Sequence, residues 1–210
     1  MKPSTARRIL LVFTKAPEPG RVKTRLARTL GEDEAARIYR ALGSRVVDGV
    51  RGGPYRTVIY HDPPGARDQL AEWFGGEGLE FEAQPEGDLG SRLAEGFRWG
   101  FLEGDLVCAI GTDAPGVDRN RVEEAFEALS SEIGPALALG PATDGGYYLV
   151  ALNRRIPGIF SGIPWSTSGV LKASLARAAA LGVRTTLLPP LADVDRPEDV
   201  PEEFRHPSPH

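Results

Sequence analysis

"DLVCAIGTDAPGV", residues 105–117, is the stretch on which the fold turns. Leu106, Val107, Cys108, Ala109 and Ile110 form an unbroken apolar run with no polar alternation. Such continuity marks a strand covered on both faces, as in sheets that carry helices on either side. The run then breaks into Gly111, Thr112, Asp113 and Pro115. In open α/β sheets ligands sit just beyond the carboxyl ends of strands. Asp113 therefore stands where chemistry is expected. It can serve as an oxygen ligand for Mg²⁺ or Mn²⁺, which commonly bridge one or two carboxylates to substrate phosphates. It can equally cap the following turn or helix.

The same alternation extends in both directions. Residues 8–14, 55–61, 79–84, 136–140, 146–152 and 183–189 read as further strands, being apolar, β-branched or alternating. Residues 33–50 place Ile38, Leu42, Val46 and Val50 at intervals of four, and 88–104 do the same with Leu89, Leu93, Phe97 and Phe101. That spacing is the apolar stripe of a helix. Helices are also expected over 66–74, 119–131 and 168–181, and a short one near Pro197. Strands separated by helices imply a mostly parallel sheet covered on both faces. One domain over residues 1–210 is expected, with its core at about 8–200. The tail 206–210 is expected to fray.

Composition narrows the function. The net charge of −4 over 210 residues argues against a general nucleic-acid binder, so any basic site must be local. The single cysteine, Cys108, permits no internal disulfide and lies mid-strand as a core residue. No run approaches the ~20 apolar residues of a membrane span. A cytoplasmic, soluble protein with no membrane partner is expected, its oligomeric state left open.

Three further motifs follow strands. "KAPEPGRVKTRL", residues 15–26, holds Lys15, Arg21, Lys23 and Arg25 around Gly20. Lysine supplies point charges and arginine a planar fork matched to phosphate oxygens. If the loop is extended, 21, 23 and 25 alternate and can face one polyanion; otherwise it is a solvated basic loop. It is not a Walker A loop, because the glycine spacing fails. "GPATDGGYYLVAL", residues 140–152, carries Asp144, Gly145 and Gly146. It is either a plain hairpin turn or a place where a ligand approaches backbone closely. Tyr147 and Tyr148 point to opposite faces, so at most one is expected to face a pocket. "LADVDRPED", residues 191–199, sets Asp193 and Asp195 on a shared face, either as helix-start chemistry or as further metal carboxylates.

The wording and order of "FTKAPEPGRVKTRL", "GDLGSRL", "GTDAPGV", "GPATDGGYYLVAL", "IPWSTSGVL" and "DVDRPEDV" resemble the bacterial radical-SAM/selenodomain-associated glycosyltransferases. That family lies within the nucleotide-diphospho-sugar transferase superfamily. More distant likenesses are the phospholactate and molybdopterin guanylyltransferases. The resemblance implies a single-domain GT-A-like, three-layer fold in which residues 146–152 supply an antiparallel strand. It implies that Lys15, Arg21, Lys23 and Arg25 hold nucleotide phosphates, and that Gln84, Gly87, Asp88 and Arg92 lie near the base or ribose. Lys23, Asp113 and Asp144 become the catalytic set. Asp144, Gly145, Gly146 and Trp165 face the acceptor. The D-x-D of many GT-A enzymes reads "GTD" here, so Asp193 or Asp195 is required to complete a Mg²⁺ or Mn²⁺ site with Asp113.

The expected activity is glycosyl transfer from a nucleotide-diphospho-sugar to a small-molecule acceptor. The alternative is nucleotidyl transfer from an NTP to a phosphorylated acceptor, which the density of cations and the "DVD" stretch favour. A non-catalytic nucleotide sensor is a third possibility, opposed by the retained Asp113 and cations. Trp73 and Trp99 read as packing residues, His61 as a loop residue, and His206 and His210 as parts of the tail.

Overall fold

The apolar runs assemble into one sheet. β1 (Arg8–Lys15), β2 (Arg56–Asp62), β3 (Leu79–Ala83), β4 (Leu106–Gly111), β5 (Ala136–Pro141), β6 (Tyr147–Leu152) and β7 (Arg184–Leu187) lie in the order β3-β2-β1-β4-β6-β5-β7. The computed structural model describes residues 6–205, so the tail from 206 onward lies outside the described residues. β1 pairs in parallel with both β2 and β4. Its Ile9, Leu10, Leu11 and Val12 have no exposed surface, which is why the stretch reads as an apolar block. β6 alone runs against its neighbours, antiparallel to β4 and to β5. The remaining pairings are parallel.

Helices cover both faces. On one face α2 (Glu32–Val50), α3 (Arg67–Phe74) and α5 (Arg119–Ser130) press Val46, Leu70 and Phe126 onto Leu10, Cys108 and Ile110. On the other, α4 (Leu89–Glu103) and α6 (Val170–Ala180) press Leu93, Phe97 and Ala178 onto Ile9, Leu11 and Val107. Phe126 is completely buried, and cutting such a side chain to alanine costs about 3–5 kcal/mol. Cys108, Trp73 and Trp99 belong to these cores, as expected. A smaller cluster joins Leu26 of α1 (Thr24–Leu30), Ile38 and Leu42 of α2, Val194, Val200 and Phe204 of α7 (Glu202–Arg205). It ties the end of the described chain to its beginning. Among the described residues no helix is long and apolar enough to cross a membrane.

Two expectations need correction. The basic stretch is not extended throughout, because α1 begins at Thr24. His61 is not a loop residue. It is a buried member of β2, with Nδ1 3.0 Å from the carbonyl of Pro63.

The reversed β6 matters for function. Its first residues stand at the same edge of the sheet as the last residues of β1 and β4. The Asp144 turn thereby joins the basic loop and Asp113 around one opening.

Candidate functional site

A cavity of about 670 Å³ opens beyond the carboxyl ends of β1 and β4, and a hollow of about 850 Å³ adjoins it. The two meet at Lys23, Arg25, Asp113 and Asp195, with Leu89, Gly111, Tyr147 and Tyr148 also common to both.

Lys23 sits in the left-handed region, φ 46° and ψ 45°, just before α1. That conformation costs a residue with a Cβ roughly 1–2 kcal/mol. It turns the side chain inward, where Nζ lies 2.5 Å from Asp113 Oδ1 and 2.5 Å from the carbonyl of Val194. The Lys23 side chain is 6% exposed and that of Asp113 56%. Arg25, in the first turn of α1, reaches Asp195 with Nη1 2.5 Å from Oδ2. This hydrogen bond holds the guanidinium above its ordinary pKa. Arg21 is exposed, 3.4 Å from Glu18, and Lys15 borders the inner cavity. Arg21, Lys23 and Arg25 all border it too, although their convergence comes from a left-handed turn and a helix rather than from strand-like alternation.

The capping role open to Asp113 is filled by another residue. α5 is capped by Asp118, whose Oδ1 accepts from the Arg121 backbone at 2.9 Å. Asp113 is instead anchored by its backbone, whose carbonyl accepts from Val194 N at 2.9 Å. Asp193 and Asp195 do not act as a pair. Asp195 turns to Arg25, while Asp193 Oδ1 lies 3.5 Å from Thr143 Oγ1. Burial, and then the neighbouring charge of Asp144, raise the pKa of Asp193 above the usual carboxylate value. Among the described residues no three carboxylate, imidazole or thiol groups converge as a ready metal cage. The donors present are nevertheless hard oxygens beside cations that a phosphate can recruit. This suits an ion held by one or two carboxylates and completed by substrate oxygens.

The opposite end of the inner cavity is built on β3 and α4. Gln84 is buried, and Arg92 Nη1 lies 2.8 Å from Asp62 Oδ2 and 3.2 Å from Gln84 Oε1. Gly87 borders this end, and its carbonyl accepts from Arg92 Nε at 3.0 Å. Asp88 serves differently from expectation. Its carboxylate caps α4, accepting from Ser91 N at 2.8 Å, and these bonds hold its pKa low.

In the outer hollow, Asp144 Oδ1 accepts from Gly146 N at 2.8 Å, closing the turn. Gly145 has φ 92°, and a Cβ there would stand 2.3 Å from the carbonyl of Ser168. Backbone at Gly145 thus closely approaches the 164–168 loop. Trp165 crosses Tyr147 edge-on, with ring centroids 6.3 Å apart, and its indole nitrogen occupies the space a Cβ on Gly90 would need. Tyr147 and Tyr148 point to opposite faces as expected, yet both border the opening, because β6 begins at its rim.

Tyr39 was missed in the sequence. From α2 its hydroxyl accepts from Lys15 N at 2.9 Å and lies 3.1 Å from Thr14 Oγ1 and 3.4 Å from Thr112 Oγ1. It thus couples the ends of β1 and β4. A tyrosine on the core stripe of a helix was the available signal, since a buried phenol needs a partner.

Solved structures with this architecture include a protein from Desulfovibrio desulfuricans G20, provisionally named a nucleotide-diphospho-sugar transferase. It is 30% identical, with a TM-score of 0.83 over 96% of this chain and 91% of that one. CMP:2-keto-3-deoxy-manno-octonic acid synthetase complexed with CTP is 15% identical, with a TM-score of 0.52 over 91% of this chain and 94% of that one. Glucosyl-3-phosphoglycerate synthase from Mycobacterium tuberculosis, in complex with Mn²⁺, uridine diphosphate and glucosyl-3-phosphoglycerate, is 14% identical. Its TM-score is 0.56 over 93% of this chain and 74% of that one. The last two likenesses are of fold alone. No curated protein matches the chain. The family described as "uncharacterized protein conserved in bacteria (DUF2064)" matches residues 49–167, more than half of the sequence. With the fold of nucleotide-using transferases around this cleft, the chain belongs to the DUF2064 family.

Proposed function

We propose that the chain transfers a glycosyl group from a nucleotide-diphospho-sugar to a small-molecule acceptor, with Mg²⁺ or Mn²⁺ as cofactor. The observation that carries this is the junction of two hollows at Lys23, Arg25 and Asp113. A diphosphate resting there has room for a nucleoside on one side and for a sugar and acceptor on the other. The resemblance of its motifs to the radical-SAM/selenodomain-associated glycosyltransferases, and the name of the D. desulfuricans relative, support the same reading.

In this reading Lys23 and Arg25 exchange their carboxylate partners for diphosphate oxygens. The resulting charge-assisted hydrogen bonds strengthen as the leaving group gains charge. Asp113 with Asp193 or Asp195 would hold a divalent ion, which would supply further offset of that charge when bound. Asp144 keeps one carboxylate oxygen free of hydrogen bonds among the described residues and takes the proton of the acceptor hydroxyl. The bond from the sugar's anomeric carbon to phosphate oxygen breaks as the bond to the acceptor oxygen forms. Trp165 and Tyr147 wall the acceptor side and exclude water. Gln84, Gly87 and Arg92 bound the nucleoside end, and Lys15 and Arg21 lie along the path between.

Nucleotidyl transfer is the second reading, favoured by the exposed Arg21, which among the described residues pairs with Glu18 alone and is available to a third phosphate. Incubation with nucleotide sugars or NTPs, Mg²⁺ and an acceptor pool separates them. Release of nucleoside diphosphate supports glycosyl transfer, and release of pyrophosphate replaces it with nucleotidyl transfer. Release of neither leaves a nucleotide-binding sensor.

A further inference from the structure

Lys23 and Arg25 mark the phosphate end of the inner cavity, so a nucleotide extending inward brings its base to Gln84 and Arg92. This step rests on the nucleotide reading proposed above. The hydrogen-bonding groups at that end are unevenly matched. Gln84 uses its amide nitrogen on the carbonyls of Tyr60, at 2.6 Å, and Thr14, at 3.3 Å. Its oxygen accepts from Arg92 Nη1. Arg92 Nη1 also serves Asp62, and Nε serves the Gly87 carbonyl. Nη2 of Arg92 has no hydrogen-bond partner among the described residues, although the side chain is only 22% exposed and borders the cavity. Lys15 and Arg21, which border the cavity along the path between, are also donors with no acceptor capacity. Asp62, held by Arg92, does not border the cavity.

We propose that Arg92 is a specificity-determining residue, selecting bases with a carbonyl oxygen at the edge remote from the sugar. Uracil and guanine present O4 and O6 there, and each accepts from Nη2. Cytosine and adenine present an amino group at the same place. Donor then meets donor, and an N–H that was open to the cavity is covered by the base without a partner. A site built to hydrogen-bond one group discriminates most strongly against the analogue that lacks it.

The test is titration calorimetry of the whole chain with UDP, GDP, IDP, CDP and ADP at fixed Mg²⁺ and salt. UDP, GDP and IDP are expected to bind about ten-fold more tightly than CDP and ADP, the size of one donor left unsatisfied when the base covers it. IDP keeps O6 but lacks the guanine amino group, so its grouping with GDP assigns the preference to the carbonyl. CDP or ADP binding as tightly as UDP and GDP overturns the inference while the nucleotide cleft stands. Binding of none of the five removes the nucleotide reading, and this inference with it. Arg92→Lys keeps the charge and loses the fork. It is expected to level the five dissociation constants, with circular dichroism confirming the fold. A preference that survives in Arg92→Lys overturns the assignment to this residue. The wild-type panel decides the base class even where the variant is unstable.

Discussion

Tyr39→Phe removes a single oxygen atom and isolates what that oxygen does. The Tyr39 side chain is 5% exposed, so phenylalanine keeps its packing. Pairing between β1 and β4 ends at Phe13 and Gly111. No strand therefore reaches the N–H of Lys15 on that side, and the phenol takes the strand's place at 2.9 Å. The hydroxyls of Thr14 and Thr112 can rotate to other acceptors, and Thr14 already has the Lys15 carbonyl at 3.5 Å. The backbone N–H cannot rotate. A donor left unsatisfied costs about 1–3 kcal/mol when buried; this one is part-buried, so a loss near ~1 kcal/mol is expected. For a chain of this length each kcal/mol lowers the melting temperature by roughly 2–4 °C, giving a fall of about 2–4 °C. Urea unfolding followed by tryptophan fluorescence measures the loss directly, with an unchanged m-value as the check that only stability moved. Nucleotide affinity is expected to fall as well, because the ends of β1 and β4 carry Lys15 and Asp113. A loss below ~0.5 kcal/mol, the size of an ordinary surface change, refutes the strand-substitute role and makes Tyr39 a packing residue.

Asp113→Asn keeps shape and removes charge. It is expected to fold, to lose Mn²⁺ binding by electron paramagnetic resonance in the presence of nucleotide, and to lose metal-dependent turnover; full activity ends its proposed role. Gly145→Ala forces a Cβ against the Ser168 carbonyl at positive φ. A loss of about 2 kcal/mol or more is expected by chemical denaturation, with the acceptor loop displaced. Glu80 is hydrogen-bonded to Arg56, which depresses its folded-state pKa below the unfolded value of 4.5. Its contribution is therefore full above pH 4.5 and lost as pH falls through the lower folded value. Because the pair is exposed, Glu80→Gln is expected to cost about 0.5 kcal/mol at neutral pH and nothing in strong acid.

Periodicity made the sheet and the larger helices legible. Ile38, Leu42 and Val46 face a core, and Leu106 to Ile110 are covered on both sides. α1 was not legible, because it is short, basic, preceded by two prolines and buries Leu26 alone of its residues. His61 was misread because a strand end with Asp62 and Pro63 looks like a loop, whereas the pairing of β1 with β2 runs on to Asp62. In the site, residues following strands were findable, since strand ends place ligands. Their partners were not. Lys23 meets Asp113 and Val194, and Arg25 meets Asp195, across separations that local pattern does not encode. The left-handed turn at Lys23 is likewise set by those distant partners, which hold it against its local preference.

The segment from Leu191 to Asp195 bridges Ala142, accepts Lys23 at the Val194 carbonyl, and meets Arg25 at Asp195. Those last two contacts join residues 171 and 170 positions apart. The sheet is complete once Leu187 is in place, but the cleft closes only when Asp195 arrives. A chain still emerging from the ribosome, or clipped by a protease after β7, would thus hold a finished scaffold whose basic loop lacks its clasp. Ligand-induced protection would then report that synthesis had passed this segment, and a proteolytic nick in it would disable the protein while leaving the seven-strand sheet in place.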